Sequence, residues 1–284
     1  MGNGRCSPLA NIDFWRGTMY NEGQTSKKVV TVLNSSEKTV ALIKLLAQPP
    51  YVHGVTELGE KIQCSKSGTF KLLSALLQGG FAAQTIDRKY TLGPAVYILG
   101  RTYENHIGLS KMVKPYLVRL RDLTGENASF SMLVSGKANL VYREESLQLV
   151  RVAGSVGQER PLYAGATGKI LGAYQSEALI RKRLMEEPLV PFTERTLTSP
   201  QAVLDEYAKI REAGYAISDG ELNIETIGIG APIRDDSGNV WAAISIGAPR
   251  MRVDEAKKER YIFLVKEMAG EMSNSLMRGT LGRD

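Results

Sequence analysis

A group of hydroxyl and cationic side chains between residues 65 and 89 has the chemistry that binds phosphates and base edges. Lysine and arginine neutralise phosphate charge, and short hydroxyls both donate and accept hydrogen bonds. The group falls partly within a predicted helix and partly at a predicted turn, so its members could act together only if those elements pack on each other. We predict nucleic-acid contacts for Ser65, Lys66, Ser67, Thr69, Lys71, Arg88 and Lys89.

The elements that must position these residues are three helices and a hairpin, predicted within residues 31–93. Apolar residues at helical spacing predict a first helix from Ser36 to Ala47, capped by Ser35 or Ser36. Pro49 and Pro50 end this helix, because proline cannot donate to the helical ladder. The inward residues of the first two helices are predicted to be Val40, Ile43, Leu46, Ala47, Val55, Leu58 and Ile62.

The third helix is predicted to begin at Ser65, as its N-cap, and to end at Gly79-Gly80. Its buried stripe is predicted to be Phe70, Leu73, Leu76 and Leu77, with Ser67, Lys71 and Ser74 on the opposite stripe. Two short strands, 81–84 and 89–92, then flank a turn that carries Arg88 and Lys89. This order is typical of a winged helix-turn-helix, whose third helix enters the major groove of DNA. The sequence therefore predicts binding to double-stranded DNA.

The distribution of charge supports a polyanionic partner for the same part of the chain. Residues 1–100 hold 11 Lys and Arg against 6 Asp and Glu, whereas residues 101–284 hold 25 against 24. A basic excess confined to one segment is the electrostatic footprint of nucleic-acid binding.

Composition excludes several other classes of protein. The 284 residues suggest one large or two ordinary domains, and there is no apolar run long enough to predict a transmembrane helix. Cys6 and Cys64 lie far apart, so neither a disulfide framework nor a zinc site is predicted, and we expect a cytoplasmic protein. Residues 1–30 are predicted to be a flexible N-terminal arm, in which Met19 is an alternative start.

Residues beyond the hairpin predict a linker and a second domain. Residues 94–121 are predicted to be a linker helix with a break at 105–108, and residues 122–280 a separate domain. In that domain, alternating patterns predict strands over 128–134, 139–143, 215–217, 226–233 and 240–248, and helices over 167–174, 176–186, 200–213 and 254–277. The fold class is α+β, with a mostly antiparallel sheet and flanking helices.

Five segments, taken in order, resemble the IclR family of bacterial transcriptional regulators over residues 30–280. These segments are residues 72–81 (LLSALLQGGF), 90–94 (YTLGP), 160–169 (RPLYAGATGK), 214–221 (GYAISDGE) and 231–238 (APIRDDSG). The resemblance implies an N-terminal winged helix-turn-helix domain, a linker helix and a C-terminal GAF-like effector-binding domain. It also implies that a small organic acid, a carboxylate effector, binds in the second domain.

Carried onto this chain, the effector-binding positions of the family are Leu149, Val152, Ala166, Thr167, Ser218, Thr226, Gly228, Ser245 and Gly247. Thr167 precedes a helix, whose N-terminus favours an anion. Acid-binding members of the family often carry Asp, Cys and Ser where this chain has Ser218, Gly228 and Gly247. The two glycines would enlarge the pocket, which favours a bulkier acid, such as an aromatic one. Glycines within strands can equally mark bulges or close packing, and Glu221 is expected to be a solvated loop carboxylate.

Two other classes of function are weighed against a DNA-binding regulator. For an enzyme, Gly168-Lys169 resembles a P-loop, but Tyr163 and Ile170 break that pattern. His53 and His106 both lie outside the predicted pocket, so no catalytic residue, metal site or cofactor is predicted. The other alternative, a ligand sensor that acts only through protein partners, is disfavoured by the cations of the first domain.

The resemblance further implies a homodimer, or a dimer of dimers, on a palindromic operator. Two recognition helices would enter major grooves about 34 Å apart. A ligand that binds one quaternary arrangement better would shift operator affinity through the linker helix. Repression relieved by the ligand is the expected sign of regulation, with activation as the alternative.

Overall fold

The computed structural model describes residues 33–277, which form two compact units; the first ends at Gly108 and the second begins at Leu109. The first unit contains α1 (Ser35–Leu46), α2 (Val55–Lys61), α3 (Lys66–Gln78), β1 (Ala82–Gln84), β2 (Tyr90–Leu92) and α4 (Pro94–Ile107). Gly108 ends α4 in the left-handed conformation (φ 69°), and its amide donates to the Glu104 carbonyl. The break predicted within the linker is therefore confirmed at Gly108. The arm predicted for residues 1–30 lies outside the described residues.

A capping box starts α1, one residue earlier than the predicted cap. The Asn34 side chain accepts a hydrogen bond from the Glu37 amide (3.0 Å), and the Glu37 carboxylate accepts one from the Asn34 amide (2.8 Å). The prediction of Ser35 or Ser36 as the N-cap was wrong, because only Asn34 has a Glu three residues later to complete the reciprocal pair.

The core of the first unit packs helices α1, α2 and α3 against the β1–β2 hairpin. Its buried residues are Leu42, Leu46, Leu58, Ile62, Leu73, Leu76, Ala82 and Tyr90. Three predicted core residues are wrong: Val40 is 54% exposed, Phe70 is 56% exposed, and Ala47, which follows the last residue of α1, is also exposed. On α3 the inward stripe contains Thr69 in place of Phe70, which turns the aromatic ring out to solvent.

A buried histidine ties the start of β2 to α2. His53 forms a bridge with Tyr90, its Nδ1 lies 2.9 Å from a Glu57 carboxylate oxygen, and its Nε2 lies 3.1 Å from the Gln48 carbonyl. Glu57 also accepts a hydrogen bond from Lys61 (2.7 Å). The hydrogen bond from Lys61, followed by the contact with His53, lowers the pKa of Glu57 from 4.5 to about 2.

This lowered pKa predicts acid sensitivity in the first unit. A carboxyl group whose pKa is lower in the folded state contributes stability above its unfolded pKa, and this contribution is lost as pH falls. We expect thermal unfolding monitored by circular dichroism to show a decline in stability from pH 4.5 towards pH 2. In Glu57→Gln this decline should be smaller, whereas Glu60→Gln, which changes an exposed carboxylate of the same helix, should retain it. Identical pH profiles for the wild type and Glu57→Gln would contradict the prediction.

The second unit is built on a six-stranded antiparallel sheet, with the strand order β5-β4-β3-β8-β7-β6. The strands are β3 (Asn127–Val134), β4 (Lys137–Glu144), β5 (Glu159–Arg160), β6 (Ala216–Asp219), β7 (Thr226–Arg234) and β8 (Val240–Pro249). Every residue from Val240 to Ile246 is buried, so both faces of the central strand are covered. This arrangement confirms the predicted mixed α+β class with an antiparallel sheet.

Five helices cover the sheet: α5 (Leu109–Thr124), α6 (Ala166–Ala173), α7 (Glu177–Glu186), α8 (Pro200–Ala213) and α9 (Glu255–Met277). Helices α6, α7 and α8 share one hydrophobic cluster with β3, β4, β6 and β8, whereas α5 and α9 contact each other and the central strands. The predicted β3–β4 hairpin is confirmed. Its two-residue turn places Ser135 and Gly136 at positive φ, as the favoured two-residue hairpin turns require. No helix in residues 33–277 is long and apolar enough to cross a membrane.

Candidate functional site

The exposed face of α3 carries most of the predicted nucleic-acid contacts. Lys66, Ser67 and Lys71 are exposed, and together with Phe70 and Val55 they line a shallow open depression. Ser65 is confirmed as the N-cap, because its hydroxyl accepts a hydrogen bond from the Gly68 amide (3.1 Å). The face therefore presents two ammonium groups and a hydroxyl around an exposed aromatic ring.

Thr69 does not belong to this face, so its predicted contact with nucleic acid was wrong. Its side chain is fully buried, and its hydroxyl donates to the Ser65 carbonyl (3.0 Å). A Cβ at Gly59 would lie 3.0 Å from the Thr69 hydroxyl oxygen, so α2 and α3 approach closely at this point. Thr69 holds α3 against α2. It lies on the buried stripe of the helix, where Phe70 was predicted.

The hairpin presents Arg88 and Lys89 to solvent. The turn is closed by the Thr85 amide, which donates to the Lys89 carbonyl (2.9 Å), and by the Arg88 amide, which donates to the Thr85 carbonyl (3.0 Å). Arg88 has a positive φ of 58°, and Ile86 is fully exposed beside it. Both cations are free to meet a phosphate.

A cavity of about 320 Å³ lies within the second unit, between the sheet and the N-terminal end of α6. Its lining includes all but one of the predicted effector positions: Val152, Ala166, Thr167, Ser218, Thr226, Gly228, Ser245 and Gly247. These residues come from the β4–β5 loop, α6, β6, β7 and β8, so the sheet brings together positions that are nearly 100 residues apart in the chain.

Leu149 is the exception, and its predicted role in the pocket was wrong. Its side chain is 97% exposed, and it is not among the residues that line the cavity. The β4–β5 loop is anchored instead at Val152, whose carbonyl accepts hydrogen bonds from Asn127 Nδ2 (3.0 Å) and from the Arg143 guanidinium. The anchored residue faces the cavity, and Leu149 lies on the outer part of the loop.

Arg143 of β4 and Arg160 of β5 also line the cavity, and sequence reasoning missed both. Burial lowers the pKa of Arg143, and burial together with the nearby charge of Arg143 lowers the pKa of Arg160. The available signal was that Arg143 lies at the end of a predicted strand and Arg160 opens a segment that resembles the family. Alternation alone did not indicate which face each residue occupies.

The N-terminus of α6 already holds a carboxylate. Glu221 is 7% exposed, and one of its oxygens accepts a hydrogen bond from the Gly165 amide (3.0 Å). The expectation of a solvated loop carboxylate was therefore wrong. This anion lies at the positive end of the helix. Of the groups predicted to bind the effector carboxylate there, only the Thr167 side chain and the other amides of the first turn remain available.

Lys169 accounts for the burial of Glu221. Its side chain is 2% exposed, and its ammonium group forms ion pairs with Glu221 and with Glu206 (2.7 Å) and donates to the Ile217 carbonyl. The preceding Gly168 lies so close to the Pro161 carbonyl that a Cβ would overlap it. The Gly-Lys pair is therefore structural: the glycine permits close packing and the lysine neutralises buried carboxylates.

The two cavity glycines leave space that side chains could fill. A Cβ at Gly247 would meet no atom within 4 Å, and at Gly228 the nearest atom would be the Ala166 Cβ at 3.5 Å. The register of β7 with β8 is regular around both residues, and the one irregularity lies between Ile233 and Arg234. Neither glycine marks a bulge, so both contribute to the size of the cavity.

The family model "Bacterial transcriptional regulator IclR C-terminal" matches residues 101–274, so the chain belongs to the IclR family of transcriptional regulators. The HTH-type transcriptional regulator BhcR of Paracoccus denitrificans is 29% identical over 220 residues, which are 77% of this chain and 79% of BhcR. The HTH-type transcriptional repressor AllR of Escherichia coli is 27% identical over 241 residues, which are 84% of this chain and 89% of AllR. The predicted family is confirmed, and the protein is a regulator, not an enzyme.

Solved structures share the fold. An IclR transcriptional regulator from Silicibacter sp. TM1040 superposes with a TM-score of 0.80 at 23% identity, over 86% of this chain and 96% of that chain. An IclR homologue from Microbacterium hydrocarbonoxydans, solved with 4-hydroxybenzoate, gives a TM-score of 0.73 at 20% identity, over 86% of this chain and all of that chain (100%).

Proposed function

We propose that this protein is a sequence-specific DNA-binding regulator whose operator affinity is controlled by a small carboxylate bound in the second unit. The observation that carries the proposal is the exposed face of α3, where Lys66, Ser67 and Lys71 surround Phe70 on a helix held by a buried core. We assign the first unit as a winged helix-turn-helix, with α3 as the recognition helix and β1–β2 as the wing.

The cations and the aromatic ring are proposed to have different tasks. Lys66, Lys71, Arg88 and Lys89 contact phosphates, which supplies affinity and register without sequence information. Phe70 contacts base edges in the major groove, where the methyl group of thymine is the apolar feature that a phenyl ring can read.

A matched pair of variants tests this division. Lys71→Ala should weaken binding to all DNA sequences by about tenfold and reduce the salt dependence of binding by about one counterion. Phe70→Ala should weaken binding to the operator but leave binding to unrelated DNA unchanged. Fluorescence anisotropy titrations at several salt concentrations, with the intergenic DNA upstream of the gene and with a scrambled duplex, measure both effects. Lys182→Ala, at an exposed lysine of α7, is the control.

Wild-type affinity and salt dependence in Lys71→Ala would remove this face from the DNA interface. Equal losses on both duplexes for Phe70→Ala would assign the ring a structural task instead of base recognition.

The cavity of the second unit is proposed to be the effector site. Ser218, Thr226 and Ser245 supply hydroxyls, and the space at Gly228 and Gly247 admits a body larger than a two- or three-carbon acid. The Microbacterium homologue bound to 4-hydroxybenzoate supports an aromatic acid as the class of ligand. A ligand with different affinities for two conformations shifts DNA affinity through a coupling of about 1–3 kcal/mol. Repression relieved by the ligand is the proposed sign, because AllR is named a repressor.

We also propose that the protein acts in the cytoplasm as a homodimer or a dimer of dimers. Helix α4 has no buried residue, and Tyr97, Ile98 and Leu99 on it are 72%, 61% and 53% exposed. Adjacent exposed apolar side chains favour an interface, and a second copy of the chain would supply the second recognition helix that a palindromic operator requires. Analytical ultracentrifugation tests this: a monomer at micromolar concentration would contradict it.

A further inference from the structure

The effector cavity holds two arginine side chains that form no ion pair within the described residues. Arg143 and Arg160 both line it, and none of the described residues that line it is an aspartate or a glutamate. Neither guanidinium forms an ion pair within residues 33–277; Arg160 donates to the Gln158 side chain (3.0 Å), and Arg143 donates to the Val152 carbonyl. The Nε of Arg143 is buried without a hydrogen-bond partner in that same part of the chain.

The carboxylates that flank the cavity arginines in the sequence form ion pairs with other cations. The pairs are Glu144 with Arg121 (3.2 Å), Glu145 with Arg151 (3.1 Å), and Glu159 with Lys137 (2.9 Å). Each carboxylate that is next to a cavity arginine in the sequence therefore already has a cationic partner. The positive charge inside the cavity is left for a ligand.

Burying two positive charges in one cavity is unfavourable, because each loses its hydration and repels the other. Burial lowers the pKa of both guanidinium groups; the charge of Glu145 offsets part of this effect at Arg143, and the charge of Arg143 further lowers the pKa of Arg160. Arginine does not deprotonate in proteins, so the unfavourable charge persists until an anion arrives. A single carboxylate would cancel one of the two charges, whereas a dianion would cancel both.

We infer that the effector is a dianion whose two negative charges lie close together and are held by Arg143 and Arg160. The inference rests on the proposed effector function of this cavity. Glu221 already accepts a hydrogen bond from the Gly165 amide at the α6 N-terminus, so the two arginines are the stronger anchor for an anion. The uncharged body of the ligand lies against Ala166, Gly228 and Gly247. A dicarboxylate and a phosphate monoester share this chemistry.

Matched probes distinguish one charge from two. Benzoate and phthalate share an aromatic body, butyrate and succinate share an aliphatic one, and phenyl phosphate places both charges on one group. Binding of each probe to the full-length protein is measured by calorimetry and by thermal shift. In at least one matched pair the dianion should bind about tenfold tighter or more, because charge-assisted bidentate hydrogen bonds are the stronger ones. Binding by phenyl phosphate alone identifies a phosphate monoester as the source.

Arg143→Gln and Arg160→Gln should each remove the preference for the dianion, while Arg181→Gln, at an exposed arginine outside the cavity, should retain it. If Arg143→Gln does not fold, Arg160→Gln carries the test alone. Three results overturn the inference. The first is that the monoanions bind as tightly as the dianions or more tightly, and the second is that no dianion binds. The third is that the preference for the dianion persists in both Arg143→Gln and Arg160→Gln. DNA titration of the same samples separates this failure from that of the regulator proposal: intact operator binding with no preference for dianions overturns the inference alone.

Discussion

Lys169→Met is expected to destabilise the second unit by about 3–5 kcal/mol, which is the cost of breaking a buried ion pair by removing one partner. The side chain of Lys169 is 2% exposed, and the side chain of Glu221, with which it pairs, is 9% exposed. Removing the cation leaves Glu221 buried with the Gly165 amide as its remaining hydrogen-bond donor, and also leaves Glu206 without its partner. Urea unfolding followed by tryptophan fluorescence measures the loss, because Trp241 lies on β8 of this unit.

The double variant Lys169→Met/Glu221→Gln separates the lost ion pair from lost packing. Removing the charge of Glu221 should recover part of the stability, because no uncompensated carboxylate then remains buried at that position. Lys182→Met, at an exposed lysine of α7, is the matched control and should change stability by less than about 0.5 kcal/mol. If Lys169→Met were no more destabilising than Lys182→Met, the ion pairs of Lys169 with Glu206 and Glu221 would not stabilise the second unit.

Gly247→Leu is expected to weaken effector binding strongly while leaving operator binding intact. The Cβ of the new side chain would meet no atom within 4 Å, and the backbone of Gly247 is an ordinary strand position, so the fold should accept the change. The isobutyl group would occupy the space proposed for the body of the ligand. We expect the affinity of the probe that binds the wild type most tightly to fall by about 100-fold, equivalent to about 2.7 kcal/mol.

Calorimetry with that probe and anisotropy titration with operator DNA measure the two effects separately. Gly270→Leu is the control: Gly270 lies exposed on α9, and a Cβ there also meets open space, but it does not line the cavity. Wild-type affinity for the probe in Gly247→Leu would place the effector site elsewhere. A loss of DNA binding in this variant alone would mean that the cavity supports the fold.

The outline of the fold was readable from local signals. Gly108 ends the helix that begins at Pro94, and Ser135-Gly136 closes the β3–β4 hairpin, because left-handed turns and helix ends depend on short-range backbone preferences. Five of the predicted effector positions that line the cavity lie on strands, where alternation and register are strict: Ser218, Thr226, Gly228, Ser245 and Gly247. Leu149 and Val152 lie in a loop, where neither constraint applies, and only Val152, which is anchored by Asn127 and Arg143, lines the cavity.

The assignment of faces is where sequence reasoning fell short. On α3, Thr69 and Phe70 are adjacent, and hydrophobicity favoured burying the phenyl ring. The structure buries the threonine instead, because α2 approaches closely at Gly59 and a small side chain that bonds to its own helix fits there. The same difficulty concealed Arg143 and Arg160: a charged residue at a strand end is usually solvated, and only the closing of the β4–β5 loop over the sheet places these two in the cavity.

The sequence by itself determined the family, the order of the elements, the basic character of the first unit and the positions of the turns, since these depend on residue types and short-range spacing. The tertiary structure alone decided which charges are buried and what they face. Lys169 contacts Glu206 and Glu221, which lie 37 and 52 residues away in the chain, whereas no aspartate or glutamate among the described residues lines the cavity that holds Arg143 and Arg160. Charge compensation depends on distance in space and on exclusion of water, and neither quantity can be obtained from spacing along the chain.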